Sequence, residues 1–279
     1  MNLFGFIQVV EELSNLGVHC VCVEHNPYNV AEVAKLIEEY KPDRIMFLSN
    51  PMILALDNYV EDESIFESVK SCIFGGEHIS SHSKQCLERW GIEPFILTLV
   101  ADFVLAAECS EHDGMHIHED LCRVEILDED DNPTTEGRLV VTNMINRHSK
   151  IHRYDTGDIA RVDRDVCPCG NMHARIHILG RKNWRISIQE ETIFPKDVLE
   201  AVDKVPETSH GIFQIYRPTT EKPNKLDVRV GYDGGGRSEE VIAEEINRNF
   251  EIPIHLDVEF VPVQELLKQG PPHKIPRVI

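Results

Sequence analysis

Apolar positions along the first hundred residues recur partly at helical spacing and partly in short strand-like runs. The predicted helices are residues 6–16, 31–40 and 80–90. The predicted strands are residues 18–23, 43–48, 71–74 and 95–100. Helices and strands that alternate in this way predict an open α/β sheet with helices on both faces.

Between residues 113 and 179 the pattern changes to β-rich segments separated by turns. Segments 123–127, 138–142 and 158–162 are rich in β-branched residues or alternate between apolar and polar positions. Asp-Asn-Pro and Glu-Gly sequences between them are typical of turns. This part of the chain predicts a small barrel-like β region.

Beyond Arg181 the sequence predicts a compact α+β unit. Pro195 suits the first turn of a helix, and a second helix is predicted at 238–250. The predicted strands are 211–216, 226–231 and 256–261. We place the domain boundary after Arg181. A partial large domain then covers 1–181, with a sheet region at 1–110 and a β region at 111–181, and a C-terminal lid covers 182–279.

Composition narrows the function classes. The chain has 48 acidic and 28 basic residues, a formal net charge of −20, which argues against a nucleic-acid or anionic-membrane surface. No apolar run reaches the length of about 18 residues that a membrane helix needs. Because the sequence also lacks a basic-then-apolar leader, we expect a cytoplasmic protein without a membrane partner.

Three polar features along the chain point to nucleotide chemistry. A Thr-Gly-Asp turn ending at Asp158 presents a carboxylate that can accept hydrogen bonds from vicinal ribose hydroxyls, and Arg181 can complete the clamp. Lys274 is a mobile point charge suited to a phosphate oxygen. Together they suggest nucleotide activation of a carboxylate. The alternative is an ordinary turn, a structural ion pair and a surface lysine.

The chain resembles the adenylate-forming (acyl-CoA synthetase) superfamily, and most closely its phenylacetate–CoA ligase branch. The resemblance covers nearly the whole chain, and the matching segments occur in the family's order. They are residues 74–77, 108–109, 113–117, 153–160, 167–170, 178–181 and 194–195. The resemblance implies a truncated large adenylate-forming domain followed by a small α+β domain.

This resemblance also implies roles for individual residues. Asp158 and Arg181 match the family's ribose clamp, and Lys274 matches the catalytic lysine that contacts the α-phosphate and the substrate carboxylate. In the family a glycine usually precedes that lysine, whereas here the residue is His273. The nucleotide-binding wall for adenine corresponds to Gly75, Gly76 and Glu77, and the interdomain hinge to Lys182 and Asn183. A plain strand-to-helix turn is the alternative for the two glycines.

Four residues match a zinc-binding pattern of the close branch. They are Cys109, His116, Cys167 and Cys169, with His173 as a substitute ligand. Thiolate and imidazole donors suit tetrahedral zinc, and a closed shell of four would be structural. Reduced free thiols without metal are the alternative.

The chain departs from the family in three places. The phosphate-binding loop lies upstream of the segment where this sequence starts, so we expect an N-terminally shortened member. Asp102 stands where relatives carry a magnesium-binding glutamate. Gln189 and Glu190 replace an Arg-Gly pair that lines the pantetheine tunnel, and the acidic residue would repel a CoA polyanion.

The function implied by the resemblance is ATP-dependent adenylation of a small carboxylic acid, followed by thioester formation. The enzyme would be an AMP-forming acid–thiol ligase that uses ATP with Mg²⁺, a structural Zn²⁺, and CoA or a carrier thiol. The alternatives are a degenerate or partner-dependent nucleotide-binding homologue without ligase activity, and a zinc-stabilised interaction module. A homodimer, or a partner that supplies the N-terminal portion, fits this resemblance. The sequence does not identify the acid.

Overall fold

The computed structural model describes residues 10–11, 13–24, 26–75, 78–100, 103–145, 151–218, 225–270 and 275–279. In this part of the chain, one large mixed sheet has the strand order β1-β2-β3-β4-β5-β9-β8-β7-β6. Its strands are β1 (Arg44–Leu48), β2 (Ser71–Phe74), β3 (Glu93–Val100), β4 (Phe103–Glu108), β5 (Met115–Ile117), β6 (Cys122–Leu127), β7 (Glu136–Asn143), β8 (Tyr154–Asp163) and β9 (Arg175–Arg181). The predicted α/β class is confirmed.

The large sheet changes from parallel to antiparallel pairing within β3. Its first half pairs in parallel with β2, from Glu93 to Ile96. Its second half pairs antiparallel with β4, from Leu97 to Val100. The β region is therefore continuous with the α/β sheet, because one long strand belongs to both.

The helices beside this sheet are α1 (Val30–Tyr40), α2 (Asn50–Tyr59) and α3 (Ser81–Arg89). In α1 the buried residues Val33, Ala34 and Ile37 recur at helical spacing, and the helix ends at the left-handed residue Lys41. At the start of α3, the Ser80 side chain accepts a hydrogen bond from the Ser83 amide. The predicted helices at 31–40 and 80–90 are confirmed by α1 and α3.

Helix α2 was not predicted, although its start carries a recognisable signal. Ser49 is extended and precedes the helix, and Pro51 lies in the first turn. Met52, Ile53 and Leu56 are buried in the core beneath the helix. The spacing of these apolar residues in the sequence does not indicate a helix by itself. Their packing against the sheet stabilises the helix.

The predicted strand at 18–23 is wrong. The structure assigns no strand to these residues, and Val18 and Val21 are 46% and 43% exposed. A β-branched segment forms a strand when a neighbouring strand and a packed face support it, and no strand of the described residues pairs with this segment. The predicted helix at 6–16 lies partly outside the described residues, and the structure is helical at residues 10–11 and 13–15.

The C-terminal part has its own sheet and core. A hairpin of β10 (Ile186–Ile188) and β11 (Glu191–Ile193) precedes a separate sheet of β12 (Phe213–Ile215), β13 (Lys225–Gly231) and β14 (His255–Val261). Its helices are α4 (Pro195–Asp203), α5 (Glu239–Asn249) and α6 (Val263–Leu267). The helix start at Pro195 and the three later strands are confirmed, whereas a domain boundary after Arg181 stays a prediction. None of the helices in the described residues has the length and apolar character needed to span a membrane.

Candidate functional site

Asp158 and Arg181 lie opposite each other on β8 and β9. Nε of Arg181 is 3.0 Å from Oδ1 of Asp158. The same guanidinium donates a hydrogen bond from Nη1 to the carbonyl oxygen of Thr156, at 3.0 Å. The structure thus brings the two predicted clamp residues together and orients the arginine through the backbone of β8.

The Thr-Gly-Asp segment is a bulge within β8, whereas the sequence predicts a turn after a strand. Arg138 of β7 pairs with Ile159 while Val140 pairs with Asp155, so β8 carries extra residues between these pairs. Gly157 has φ +76°, a left-handed conformation in which glycine avoids strain. Ladders with β7 on one side and β9 on the other continue the strand past the glycine, and for this reason no turn forms.

The bulge holds Asp158 by local hydrogen bonds. The Thr156 hydroxyl donates to the Leu139 carbonyl at 3.1 Å and accepts from the Asp158 amide at 3.1 Å. The side chain of Asp158 is 13% exposed, whereas that of Arg181 is 50% exposed. A carboxylate has about four lone-pair sites, so one arginine does not exhaust its capacity to accept hydrogen bonds from hydroxyl groups.

Gly75 follows β2, and its amide donates to the carbonyl oxygen of Leu48 at 3.2 Å. A Cβ at this position would meet Phe47 at an ordinary contact distance of 3.7 Å. The other two predicted adenine-wall residues, Gly76 and Glu77, lie outside the described residues. The structure therefore locates one end of this segment at the carboxyl end of β2.

Asn50 braces the chain just after that segment, and the sequence analysis missed it. The buried Asn50 side chain donates from Nδ2 to the His78 carbonyl at 2.9 Å, and its Oδ1 accepts from the Ser80 amide at 2.9 Å. One amide thus holds two backbone groups on either side of Ile79. An asparagine at a strand-to-helix junction, directly before Pro51, was the available signal.

Two further predicted residues, the catalytic Lys274 and the magnesium-binding Asp102, lie outside the described residues. The chain just beyond Lys274 is anchored to β12. Arg277 is buried, donates from Nη1 to the carbonyl oxygens of Gly211 and Phe213, and lies over the Phe213 ring at 4.5 Å. This arginine therefore supports the C-terminal segment of the chain.

The predicted hinge residues lie in a short 3₁₀ turn, Lys182–Trp184, between β9 and β10. Nζ of Lys182 is 3.1 Å from Oε2 of Glu129, and the Asn183 carbonyl accepts a hydrogen bond from Arg217. The turn thus contacts both the β region and the C-terminal part. A hinge role stays a prediction.

Cys109, His116, Cys167 and Cys169 converge, with one possible ligand atom of each within 4.8 Å of the others. The two sulfurs of Cys109 and Cys167 are 3.8 Å apart, and Sγ of Cys169 is 3.3 Å from Nε2 of His116. Zinc–sulfur bonds of about 2.3 Å at tetrahedral angles place two sulfurs about 3.8 Å apart. The donor set and its spacing fit tetrahedral zinc.

Sheet pairing explains why these four residues meet. Strand β5 pairs with β4 on one side and with β9 on the other. Cys109 directly follows β4 and His116 lies in β5, while Cys167 and Cys169 lie in the loop between β8 and β9. Two neighbouring segments, at Cys109 and His116, therefore meet a loop that lies far along the sequence, at Cys167 and Cys169.

The protonation of the cluster also suits a cation. Nδ1 of His116 is 2.9 Å from the His173 carbonyl, which can only accept, so Nε2 presents its lone pair to the sulfurs. A hydrogen bond from the Cys169 amide lowers the pKa of Cys167 to about 7, whereas burial raises the pKa of Cys109. The His173 ring pairs with Glu119 at 3.5 Å and is not among the four residues whose ligand atoms converge.

A cavity of about 430 Å³ lies elsewhere in the molecule, between α2 and the loop after β13. Its lining includes Leu54, Asn58, His210 and Tyr232, together with the glycines of residues 234–236. Neither Asp158 nor Arg181 lines this cavity. The glycine-rich loop is thus separate from the Asp158–Arg181 pair.

Comparison with known proteins finds sequence similarity over part of the chain. No protein-family model matches the sequence. A phenylacetate–coenzyme A ligase of Thermus thermophilus is 32% identical over 130 residues, which is 44% of this chain and 29% of that protein. One of Aromatoleum evansii is 29% identical over 210 residues, 68% of this chain and 47% of that protein. Over these stretches the chain is similar in sequence to phenylacetate–CoA ligases.

The fold agrees with this similarity. The structure of a 2-hydroxyisobutyryl-CoA ligase in the postadenylation state, in complex with R3-HIB-AMP, aligns with a TM-score of 0.78 at 19% identity. The alignment covers 93% of this chain and 58% of that one. The chain has the fold of an adenylate-forming ligase and spans less than half the length of the curated relatives that it matches.

Proposed function

We propose that this chain carries the nucleotide-binding part of an adenylate-forming acid–thiol ligase. ATP and a small carboxylic acid would give an acyl-adenylate and pyrophosphate, and a thiol would then take the acyl group. The observation that carries the proposal is the contact of 3.0 Å between Arg181 and Asp158, which forms a charged clamp on two paired strands. A clamp of this kind suits the paired hydroxyls of a ribose.

In the first step, a carboxylate oxygen of the acid attacks the α-phosphorus, and the bond from that phosphorus to the bridging oxygen of pyrophosphate breaks. Such a reaction needs in-line positioning and charge neutralisation more than proton transfer. Asp158 and Arg181 hold the ribose, and Gly75, Gly76 and Glu77 flank the adenine. Lys274 stabilises the negative charge that develops on the phosphate.

In the second step, a thiol sulfur attacks the acyl carbon, AMP leaves, and the thiol proton passes to solvent. The thiol is CoA or a carrier thiol. Mg²⁺ held by Asp102 would offset the negative charge of the triphosphate. The Lys182–Asn183 turn is the pivot at which the C-terminal part changes position between the two steps.

The four-residue cluster of Cys109, His116, Cys167 and Cys169 holds a structural Zn²⁺ in this proposal. Its support is the tetrahedral spacing of donors and the proton on Nδ1 of His116. The metal would pin the loop after β4 to the loop between β8 and β9. All eight cysteines are free, which fits a reducing compartment such as the cytoplasm.

Calorimetry with ATP and AMP tests the clamp. We expect Asp158→Asn to weaken nucleotide binding at least about tenfold, which corresponds to about 1.4 kcal/mol, because a hydrogen bond to a charged group is lost. Asp130→Asn is the matched control, since Asp130 is an exposed carboxylate in a turn of the same β region. Equal affinity in wild type and Asp158→Asn would overturn the clamp.

Pyrophosphate release with a panel of carboxylic acids tests the reaction. Activity that disappears in Lys274→Ala supports catalysis by this chain. Nucleotide binding without pyrophosphate release, across aromatic and aliphatic acids, contradicts it and favours a binding function. The same samples, analysed by sedimentation, distinguish a homodimer from a monomer.

A further inference from the structure

A second group of metal-ligating side chains lies between α2 and α3. Asp57 belongs to α2, and His82 and Cys86 lie four residues apart on α3. Their ligand atoms all lie within 4.8 Å of one another. None of the three belongs to the Asp158–Arg181 pair or to the four-residue cluster.

The distances converge on one nitrogen. Nε2 of His82 is 3.2 Å from Oδ2 of Asp57 and 3.4 Å from Sγ of Cys86. In a nucleophilic Cys-His-Asp relay, the acid and the nucleophile contact opposite nitrogens of the ring. Here both face the same nitrogen, and this geometry suits three ligands around a common centre.

The spacing also matches a tetrahedral ion. Zinc bonds of about 2.0 Å to nitrogen or oxygen and about 2.3 Å to sulfur, at tetrahedral angles, separate the ligand atoms by about 3.3 to 3.6 Å. His82 and Cys86 project from one face of α3 at i and i+4, where side chains are neighbours. An oxygen, a nitrogen and a sulfur donor together suit zinc better than a hard cation.

Neighbouring charges would balance such an ion. Arg89 contacts Oδ1 of Asp57, which leaves Oδ2 directed at His82. Nε of Arg89 is in turn 2.6 Å from Oε1 of Glu63. A hydrogen bond to the second oxygen is a usual way to orient a ligating carboxylate. The formal charges of a divalent ion, the Cys86 thiolate, Asp57, Arg89 and Glu63 sum to zero.

We propose that Asp57, His82 and Cys86 form a second zinc-type site that links α2 to α3. Three protein ligands leave the fourth position to water. The side chains of Asp57 and His82 are 22% and 24% exposed and provide access from solvent, whereas Cys86 is fully buried. Binding forms the sulfur–metal bond and releases the thiol proton of Cys86 to solvent.

Zinc titration of the metal-stripped full chain, against a chromophoric chelator, tests this site. We expect His82→Ala and Cys86→Ala each to bind one equivalent of zinc fewer than wild type. Cys72→Ala, which removes a buried cysteine outside both clusters, should bind as many equivalents as wild type. His82 is partly exposed, so His82→Ala tests the site even if Cys86→Ala fails to fold.

A double-variant design separates the two clusters. Cys167→Ala should lose one equivalent on its own, and Cys167→Ala combined with His82→Ala should lose two. In the Cys167→Ala background, Co²⁺ should give a tetrahedral visible spectrum that disappears on His82→Ala. Equal zinc stoichiometry in wild type, His82→Ala and Cys86→Ala would overturn the proposal, whatever the outcome for nucleotide binding.

Discussion

Asp203, the last residue of α4, accepts hydrogen bonds from Ser81 at the first turn of α3. Its carboxylate accepts from the Ser81 amide at 2.9 and 2.7 Å and from the Ser81 hydroxyl at 2.6 Å. The neighbouring His82 amide donates to the Ser209 carbonyl at 3.0 Å. The C-terminal part thus satisfies donors that a helix leaves unpaired at its start.

This contact predicts that Asp203→Ala destabilises the protein. The change removes an acceptor from the start of a helix, so the free energy of unfolding should fall by about 1 to 2 kcal/mol, as for loss of an N-cap. Asp203→Asn keeps one acceptor oxygen and should lose less. Urea denaturation of the three proteins makes the comparison, and an Asp203→Ala variant as stable as wild type would contradict it.

The same carboxyl group predicts a pH dependence. Burial raises the pKa of Asp203 above its ordinary value of 3.8, in spite of the hydrogen bonds from Ser81. Its contribution to stability is therefore complete below pH 3.8 and falls as the pH rises through the higher folded pKa. As the pH rises from 3.8 through this folded pKa, wild type should lose stability relative to Asp203→Asn. Parallel pH profiles of unfolding for the two proteins would refute this.

Glu207 predicts the opposite pH dependence. Arg237 contacts both of its oxygens at 2.7 Å, and these hydrogen bonds lower the pKa of Glu207 from 4.5 to about 2. Its contribution is present above pH 4.5 and is lost as the pH falls towards 2. Glu207→Gln should flatten this acid limb in thermal unfolding followed by circular dichroism. If Glu207→Gln loses as much stability at low pH as wild type does, Glu207 is not the cause of that loss.

Asn50 predicts a link between stability and nucleotide binding. Asn50→Ala leaves the His78 carbonyl and the buried Ser80 amide without their partner, which costs about 1 to 3 kcal/mol per group. Because the braced segment follows Gly75, affinity for AMP should also fall. Asn50→Asp keeps the acceptor for Ser80 and should retain more of both properties. Calorimetry with full AMP affinity in Asn50→Ala would argue against the link.

The four-residue cluster predicts metal-dependent stability. Cys167→Ala should remove one zinc and lower the melting temperature by several degrees, since about 1 kcal/mol shifts it by about 2 to 4 °C in a chain of this size. Cys122→Ala is the matched control, because this buried cysteine lies on β6 outside the cluster. Metal analysis and scanning calorimetry are the measurements. A wild-type protein that binds no zinc would exclude the site.

Local pattern was sufficient for most helices and strands. Helix α1 follows from Val33, Ala34 and Ile37, whose spacing describes one buried face, and α4 begins at Pro195 as predicted. The pairing of Asp158 with Arg181 followed from the order of motifs along the chain. These features depend on residues near one another in sequence, or on the order of motifs, which the sequence shows without a structure.

Other features were decided only by tertiary structure. Asp203 and Ser81 are 122 residues apart, and no local signal joins them. The bulge at Gly157 needs β7 and β9 on either side, and residues 18–23 form no strand because no described strand pairs with them. Hydrogen-bond partners in sheets and buried polar contacts are chosen by packing, and packing depends on which distant segments come together in space.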